Sequence, residues 1–229
     1  MLPADERPYS RYSTAMAIIA VVGRKGGVGK STIVGNLAAE FAALRRTVVV
    51  LDADPQHSIL AWSRQGDGML AGNVQTVTDG EGTLRARAHK AEKDADIVLI
   101  DTPPGMPEVS YQAALAADVL LLPCGPSLLD LFALKEALSL GLKARAERRS
   151  KKPRIRLVPS KVLMTTNLGR GLADSLKDFG RKVLPGIGQR VVVAEAVTHG
   201  LTVAEYAPAS TAHEEFRELA KAVDKLLKK

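Results

Sequence analysis

A glycine-rich loop between residues 23 and 32, GRKGGVGKST, has the clearest chemical potential in the sequence. Glycines leave room for several backbone N–H groups to converge on an anion, and a helix that begins directly after them adds its positive N-terminal end. Lys30 could then reach the β- and γ-phosphates of a nucleotide, and the Ser31 hydroxyl could bind Mg²⁺. The loop departs from the generic phosphate-loop pattern at Arg24, which stands where that pattern has glycine. The sequence therefore predicts a phosphate-binding loop with one substitution.

Three aspartates follow apolar stretches that suit buried strands. Asp52 and Asp54 come after residues 47–51, and Asp101 comes after residues 97–100. Residues spaced i and i+2 point to the same side of a strand, so Asp52 and Asp54 should face one space. An aspartate at a strand end also often caps a turn or helix. That structural role is the alternative for Asp54 and Asp101.

Strands and helices alternate along the chain and place these groups at strand ends. A helix over residues 30–44 follows the loop directly and sets Ile33, Leu37 and Phe41 on one face. Continuous apolar runs predict buried strands at residues 17–22, 47–51, 97–100, 119–122 and 162–164. This order predicts an α/β fold in which a mostly parallel twisted sheet carries helices on both faces, with a ligand crevice at the carboxyl ends of the strands. A last helix from about residue 209 should pack its apolar side on the sheet.

Length and composition favour one globular domain. With 229 residues, 46% of them hydrophobic and 25% charged, the chain is neither fibrous nor intrinsically disordered. We expect a flexible arm at residues 1–14 and a single domain at residues 15–229. The longest apolar stretch, residues 15–22, is too short to cross a bilayer, and the first 14 residues lack the apolar core of a secretory signal. Together with a lone cysteine, Cys124, these features predict a cytoplasmic protein in a reducing compartment.

Positive charge is concentrated in two regions. Residues 143–156 contain only one acid, Glu147, and eight basic side chains: Lys143, Arg145, Arg148, Arg149, Lys151, Lys152, Arg154 and Arg156. A smaller excess near the C-terminus includes Lys225 and Lys228. Such clusters attract phosphate backbones by counterion release, and a merely solvated helix end and loop is the alternative. Aromatic residues make up only 4% of the chain, which argues against a base-stacking platform.

A second lysine distinguishes the loop from an ordinary phosphate loop. Lys25 lies five residues before Lys30, and with it the segment KGGVGKST resembles the deviant Walker A motif of the ParA/MinD family of ATPases. The resemblance implies a P-loop NTPase-like fold. It also implies that Lys25 reaches across a dimer to the nucleotide of the partner.

Other segments extend this resemblance over residues 17–227. DADPQ at 52–56 resembles the switch of the family, and DTPP at 101–104 resembles its Walker B motif. PCGPS at 123–127, followed by Asp130 and Leu131, is similar to its PxxPSxxDL segment, and residues 190–196 and 205–210 are similar to its C-terminal pattern. The DPQ form and the short N-terminal arm point to small ParA proteins without a helix-turn-helix.

The resemblance implies a role for each matched residue. Lys25, Lys30 and Asp54 would be catalytic, with Asp54 orienting or deprotonating the attacking water. Ser31 directly and Asp101 through water would hold Mg²⁺, and Asp52 would support the water shell of the metal. The nucleotide contacts would come from the phosphate loop and three residues near the base: Lys25, Gly26, Gly27, Val28, Gly29, Lys30, Ser31, Thr32, Met164, Asn167 and Pro208.

The resemblance implies a Mg²⁺-dependent ATPase that dimerises on binding ATP and then binds DNA without sequence preference. The two basic regions would form the DNA surface on the nucleoid, and a ParB-like or small centromere-binding protein would stimulate hydrolysis. Such a switch would segregate plasmids or chromosomes. The alternatives are a MinD-like membrane-associated positioning ATPase, a ParA-like ATPase that positions a protein cargo, and a scaffold that binds nucleotide without hydrolysis.

Overall fold

The computed structural model describes residues 16–77, 83–148 and 150–228. The predicted arm at residues 1–14 lies outside these residues. The strands are β1 (Ala17–Val21), β2 (Val48–Asp52), β3 (Val74–Thr76), β4 (Ile97–Asp101), β5 (Val119–Cys124) and β6 (Arg154–Pro159). The helices are α1 (Lys30–Ala43), α2 (Ser58–Ser63), α3 (Leu84–Ala91), α4 (Pro107–Ala116), α5 (Leu128–Glu147), α6 (Asn167–Lys177), α7 (Val191–Thr198), α8 (Val203–Tyr206) and α9 (Thr211–Leu227).

The described strands form one parallel sheet in the order β3-β2-β4-β1-β5-β6. The predicted α/β fold with a parallel sheet is therefore confirmed. Strands β1, β4 and β5 are buried along their whole length, because helices cover both of their faces. Since all strands run in one direction, their carboxyl ends meet at one edge of the sheet.

The fifth strand was predicted at the wrong place. Residues 162–164 contribute only an isolated bridge between Val162 and Gly188, and the strand lies at Arg154–Pro159. The sequence signal is weak there because β6 is at the edge of the sheet, where half-buried arginines alternate with buried apolar residues. The short strand β3 at the opposite edge was not predicted.

Two layers of helices cover the sheet. Alternate residues of β1 divide between them: Ile19 faces a core that includes α1 and α9, and Ile18 faces a core that includes α4 and α5. Phe216 on α9 is fully buried in the first core, so the prediction that the last helix packs its apolar side inward is confirmed. Within the three described ranges, no helix combines the length and apolar character needed to cross a membrane.

Candidate nucleotide site

The glycine-rich loop connects the carboxyl end of β1 to the start of α1, at the centre of the sheet. Gly27 and Gly29 adopt φ angles of 72° and 95°, in the left-handed region that favours glycine. A Cβ on Gly29 would lie 2.9 Å from the Ser160 hydroxyl oxygen. Among the described residues, no side chain caps the N-terminus of α1. The N–H groups of its first turn are therefore available to an anion.

Lys30 is the first residue of α1, and its side chain is buried beneath the loop. The residue is only 6% exposed, and its Nζ makes a long hydrogen bond of 3.5 Å to the Lys25 carbonyl oxygen. Burial lowers the pKa of this ammonium, while Asp101 and Asp54 act in the opposite direction. An ammonium held in this way has donors to spare, so it is suited to a phosphate oxygen.

Asp101 ends β4 and is fully buried. Neither of its carboxylate oxygens has a well-formed hydrogen bond among the described residues, although the Ser31 side chain lies close enough to lower its pKa. Burial dominates, with a smaller contribution from neighbouring Asp52, and raises the pKa to about 7. A buried carboxyl group without partners is costly unless a cation or bound water completes it. Asp101 and the adjacent Ser31 are hard oxygen donors, which fit Mg²⁺.

Asp52 and Asp54 shape the loop that follows β2. The two oxygens of Asp52 accept backbone hydrogen bonds from Asp54 and Leu60, each 3.1 Å long. Asp54 is 8% exposed, and its Oδ1 accepts a hydrogen bond of 3.0 Å from the Gln56 N–H. Asp54 therefore does cap a turn, as the alternative reading expected, but its Oδ2 has no hydrogen bond within the described residues. Asp52 pairs in register with Asp101, which brings these aspartates to one edge of the sheet.

Lys25 and Arg24 are held by carboxylates of α5. The Lys25 ammonium lies 2.7 Å from Asp130 Oδ1, and the Arg24 guanidinium lies 2.9 Å from Glu136 Oε2. Asp130 also forms the N-terminal capping box of α5 with Ser127. Although burial alone would raise the pKa of Asp130, hydrogen bonds from Lys25 and Ser127 lower it. In this structure the Lys25 side chain is thus bound to α5, and 44% of it is exposed.

A cavity of about 680 Å³ adjoins the loop at Gly29 and Thr32. Its other walls come from α1, from the segments after β6 and before α7, and from α7 itself: Ile33, Ser160, Lys161, Leu163, Ile187, Gly188, Gln189, Arg190, Val191, Val193, Ala194 and Val197. Cavities of this size hold small ligands. The position beside the phosphate loop suits the rest of a nucleotide.

The three residues predicted to contact the base are not among those that line this cavity. Met164 is 65% exposed, Asn167 is the first residue of α6, and the Pro208 carbonyl accepts a hydrogen bond from His213. The sequence analysis noted residues 190–196 for their family pattern but did not predict that Gln189 and its neighbours line this cavity. They reach the loop through long-range backbone hydrogen bonds after β6, for which the sequence carries no local signal.

The basic residues predicted to bind DNA are spread over several elements. The Lys143 ammonium lies 5.1 Å from the centroid of the Tyr111 ring. Arg148 Nη1 donates a hydrogen bond of 2.5 Å to the Ala117 carbonyl, and the Lys152 ammonium lies 2.6 Å from Asp118 Oδ1. Burial lowers the pKa of Arg148, and Arg149 lies outside the described residues. Lys151 is exposed in the loop before β6, Arg145 is in the last turn of α5, and Arg154 and Arg156 belong to β6.

One contact joins the two basic regions. Arg154 Nη1 donates a hydrogen bond to the Leu226 carbonyl at the end of α9. The adjacent Lys225 and Lys228 lie at the same helix end, where Lys228 pairs with Asp224 at 2.6 Å. The start of β6 and the end of α9 therefore share one surface.

Comparisons with known proteins agree with this geometry. Residues 19–203 match the family model described as the CobQ/CobB/MinD/ParA nucleotide binding domain. The chromosome-partitioning ATPase Soj of Thermus thermophilus is 30% identical over an alignment of 241 positions that covers 90% of this chain and 94% of Soj. The maintenance of carboxysome distribution protein A of Gloeobacter kilaueensis is 38% identical over 120 residues, 52% of this chain and 54% of that protein, so the match spans about half of that relative. The structure of apo McdA from Cyanothece superposes with a TM-score of 0.76 at 18% identity, over 91% of this chain and 99% of McdA.

Proposed function

The chain belongs to the CobQ/CobB/MinD/ParA family of nucleotide-binding domains, and from that premise we propose that it is a Mg²⁺-dependent ATPase. The observation that carries the proposal is the buried carboxyl group of Asp101, which lacks well-formed hydrogen bonds and lies beside Lys30 and the phosphate loop. Burying this carboxyl group without hydrogen bonds costs free energy in the ligand-free protein, and a cation bound together with phosphates would remove that cost. Mg²⁺, when bound, would supply charge neutralisation for the β- and γ-phosphates.

The residues of the site divide the work of phosphoryl transfer. Lys30 and the backbone N–H groups of the loop, from Gly26 to Thr32, hold the phosphates. Ser31 would hold the metal directly and Asp101 would hold it through water. Asp54 orients the attacking water with its Oδ2, and Asp52 keeps Asp54 in place through the backbone hydrogen bond between them.

We propose that ATP brings two subunits together and that Lys25 then acts on the nucleotide of the partner. The contact between Lys25 and Asp130 supports this role, because it holds the ammonium on α5 and leaves nearly half of the side chain exposed. When Lys25 leaves the Asp130 carboxylate for a phosphate, its ammonium keeps a negatively charged partner. Exposed apolar side chains of Leu128, Leu129 and Phe132 lie on the same stretch of α5 and would be covered by the second subunit.

We propose that the ATP-bound dimer binds DNA without sequence preference and serves as a positioning switch on the nucleoid. The supporting observation is the shared basic surface at the start of β6 and the end of α9. Two similar proteins are named for chromosome partitioning and for carboxysome distribution, so the cargo of the switch is either a DNA molecule or a protein body. A ParB-like or small centromere-binding protein would stimulate hydrolysis.

One observation bears on the MinD-like alternative, in which the last helix binds lipid. Phe216, Leu219 and Val223 of α9 are buried against the α1 side of the sheet. A helix whose apolar face is buried in this way has no such face left for a bilayer. We therefore favour DNA over a membrane as the surface on which the protein acts.

Phosphate release from Mg·ATP tests the proposed activity. Wild-type protein should hydrolyse ATP only with Mg²⁺, Lys30→Ala should lose nucleotide binding, and Asp54→Ala should bind ATP and dimerise without turnover. Asp94→Ala, at an exposed aspartate outside the site, is the matched control. Turnover by Asp54→Ala at the wild-type rate would remove Asp54 from the mechanism, and ATP binding without any wild-type turnover would favour the scaffold alternative.

Binding to random-sequence duplex DNA with ATP, ADP or no nucleotide tests the proposed switch. Binding that requires ATP and falls steeply with salt is the expected result, because the contacts are made to phosphates. Co-sedimentation with liposomes in ATP, without DNA binding in any state, would instead support the membrane alternative.

A further inference from the structure

A group of arginines surrounds the start of the edge strand β6, at the end of the sheet opposite to the phosphate loop. Arg154 and Arg156 belong to β6, and the Leu157 N–H binds the Lys182 carbonyl at 3.1 Å, which brings Arg181 alongside Arg156. We call Arg145, Arg154, Arg156 and Arg181 the edge arginines.

Arg145 reaches the same corner from α5. A Cβ on Gly141 would lie 3.2 Å from Ile155, so this side of α5 packs directly on β6. Arg145 lies one helical turn further along the same side of α5. Burial lowers the pKa of Arg156, and the positive charges of Arg154, Arg145 and Arg181 lower it further, as expected for guanidinium groups that face one another.

Three of the edge arginines, Arg145, Arg156 and Arg181, lack the carboxylate partners that half-buried cations normally have. Within residues 16–77, 83–148 and 150–228, no carboxylate lies within salt-bridge distance of Arg145, Arg156 or Arg181. The Nε atoms of Arg156 and Arg181 are both buried without a hydrogen-bond acceptor, and their Nη1 atoms reach only nearby carbonyls, at 2.9 and 3.4 Å. Unpaired charged donors of this kind are costly, and their cost is removed by an anion.

The chemistry of the corner favours phosphate groups arranged along a chain. Guanidinium groups match phosphate oxygens with two parallel hydrogen bonds, and several of them together repel one another unless more than one negative charge is present. Arg154 connects the corner to the end of α9, where Lys225 and Lys228 extend the positive surface beyond the reach of a single small anion.

We propose that the edge arginines form a phosphate clamp that holds the backbone of duplex DNA, with Arg156 and Arg181 as its centre. The inference rests on the proposed DNA-binding function and deepens it by naming the site. It adds Arg181, a residue outside both basic regions of the sequence. The clamp lies away from the proposed nucleotide site. Because the strands are parallel, the start of β6 lies at the amino ends of the strands, and the phosphate loop follows the carboxyl end of β1.

The test compares the salt dependence of DNA binding in charge-matched variants. The double variant Arg156→Gln/Arg181→Gln removes the centre of the clamp. The control Arg64→Gln/Arg217→Gln removes the same charge from an exposed residue at the end of α2 and from an arginine paired with Glu214. Affinity for random-sequence duplex in ATP is measured by fluorescence anisotropy from about 50 to about 200 mM salt.

The slope of log affinity against log salt is negative, and its magnitude should decrease by about two in the clamp variant, one for each lost phosphate contact. In the control the slope should stay unchanged. Mg·ATP binding should be normal in both variants. If the double variant fails to fold, Arg181→Gln alone, outside the strand, should lower the magnitude of the slope by about one.

A wild-type slope in the clamp variant, or in Arg181→Gln, would overturn the inference while leaving the proposed DNA binding in place. Wild-type protein that binds no DNA in any nucleotide state would overturn both. Binding of wild type, but not of the clamp variant, to vesicles with anionic lipids in the absence of DNA binding would assign the corner to a membrane and reject the clamp for DNA. Displacement of DNA by millimolar inorganic phosphate, at constant ionic strength, would assign the corner to a small free phosphate and reject the clamp for DNA.

Discussion

Replacement of Asp101 by asparagine should stabilise the ligand-free protein and abolish its response to Mg²⁺. Asp101 is fully buried without well-formed hydrogen bonds, and its pKa is raised from 3.8 to about 7. Asparagine keeps the size of the side chain but never carries a charge. The substitution therefore removes the cost of burying a carboxylate together with its benefit to metal binding.

The magnitude follows from the linkage between protonation and folding. The unfolded chain loses the Asp101 proton near its ordinary pKa of 3.8, whereas the folded chain retains it up to about pH 7. Wild-type stability therefore falls as pH rises through this interval, by about 1.4 kcal/mol per pH unit, and the loss is complete above pH 7. Relative to wild type, Asp101→Asn should gain about 2 kcal/mol at pH 5 and about 4 kcal/mol at pH 8.

Urea unfolding between pH 5 and pH 8 measures this difference, with fluorescence of Trp62 as the signal. Trp62 is the single tryptophan of the chain and is 4% exposed, so its emission reports unfolding. Asp94→Asn, at an exposed aspartate, is the control and should follow the wild-type pH dependence. Addition of Mg·ATP should stabilise wild type and the control, increasingly as pH rises towards 7, but should not stabilise Asp101→Asn. Equal pH dependence of Asp101→Asn and wild type would refute the argument that Asp101 is buried without a partner.

Three further predictions concern other parts of the site. Asp130→Asn should strengthen ATP-dependent dimerisation about two- to fivefold, because it releases Lys25 from a partly exposed ion pair of about that energy. Sedimentation of the variant in a hydrolysis-deficient background measures the dimer constant. An unchanged constant would show that the contact between Lys25 and Asp130 does not compete with dimer formation. Glu215→Gln should weaken ATP binding about tenfold but leave pyrophosphate binding intact, because Glu215 holds the cavity wall by accepting a 2.9 Å hydrogen bond from the Gly188 N–H. Calorimetry compares this variant with the control Glu218→Gln. Equal affinities of the two variants for ATP would contradict the prediction. Gly29→Ala should lower nucleotide affinity at least tenfold, because φ is 95° and the new methyl would lie 2.9 Å from a hydroxyl oxygen; wild-type affinity would mean that the loop tolerates a different backbone.

The phosphate loop and the core of the sheet were predictable because their signals are local. The glycines and Lys30 fall within residues 23–30, directly after a β-branched run and at the start of an amphipathic helix, and this order alone places a loop at a strand end. The central strands are buried on both faces, so their sequences are continuous apolar runs. Their bounds agree with the structure to within about two residues, as the comparison of 119–122 with Val119–Cys124 shows.

The elements at the edge of the sheet were not predictable in the same way. Strand β6 carries Arg154 and Arg156 because an edge strand needs to bury only part of its surface, and these arginines made the segment look like a charged loop. The apolar run that follows, residues 162–164, has the pattern of a buried strand. Its residue Val162 instead forms a single bridge to Gly188, which lines the cavity beside the loop.

The sequence by itself predicted which groups would hold phosphates and Mg²⁺, and in which order strands and helices present them. Only the tertiary structure decided which distant residues become partners. Lys25 and Asp130 are 105 positions apart, and the wall of the cavity is held by an acid on the last helix. Such contacts arise where separate elements pack against one another, and a pattern confined to one element cannot specify them.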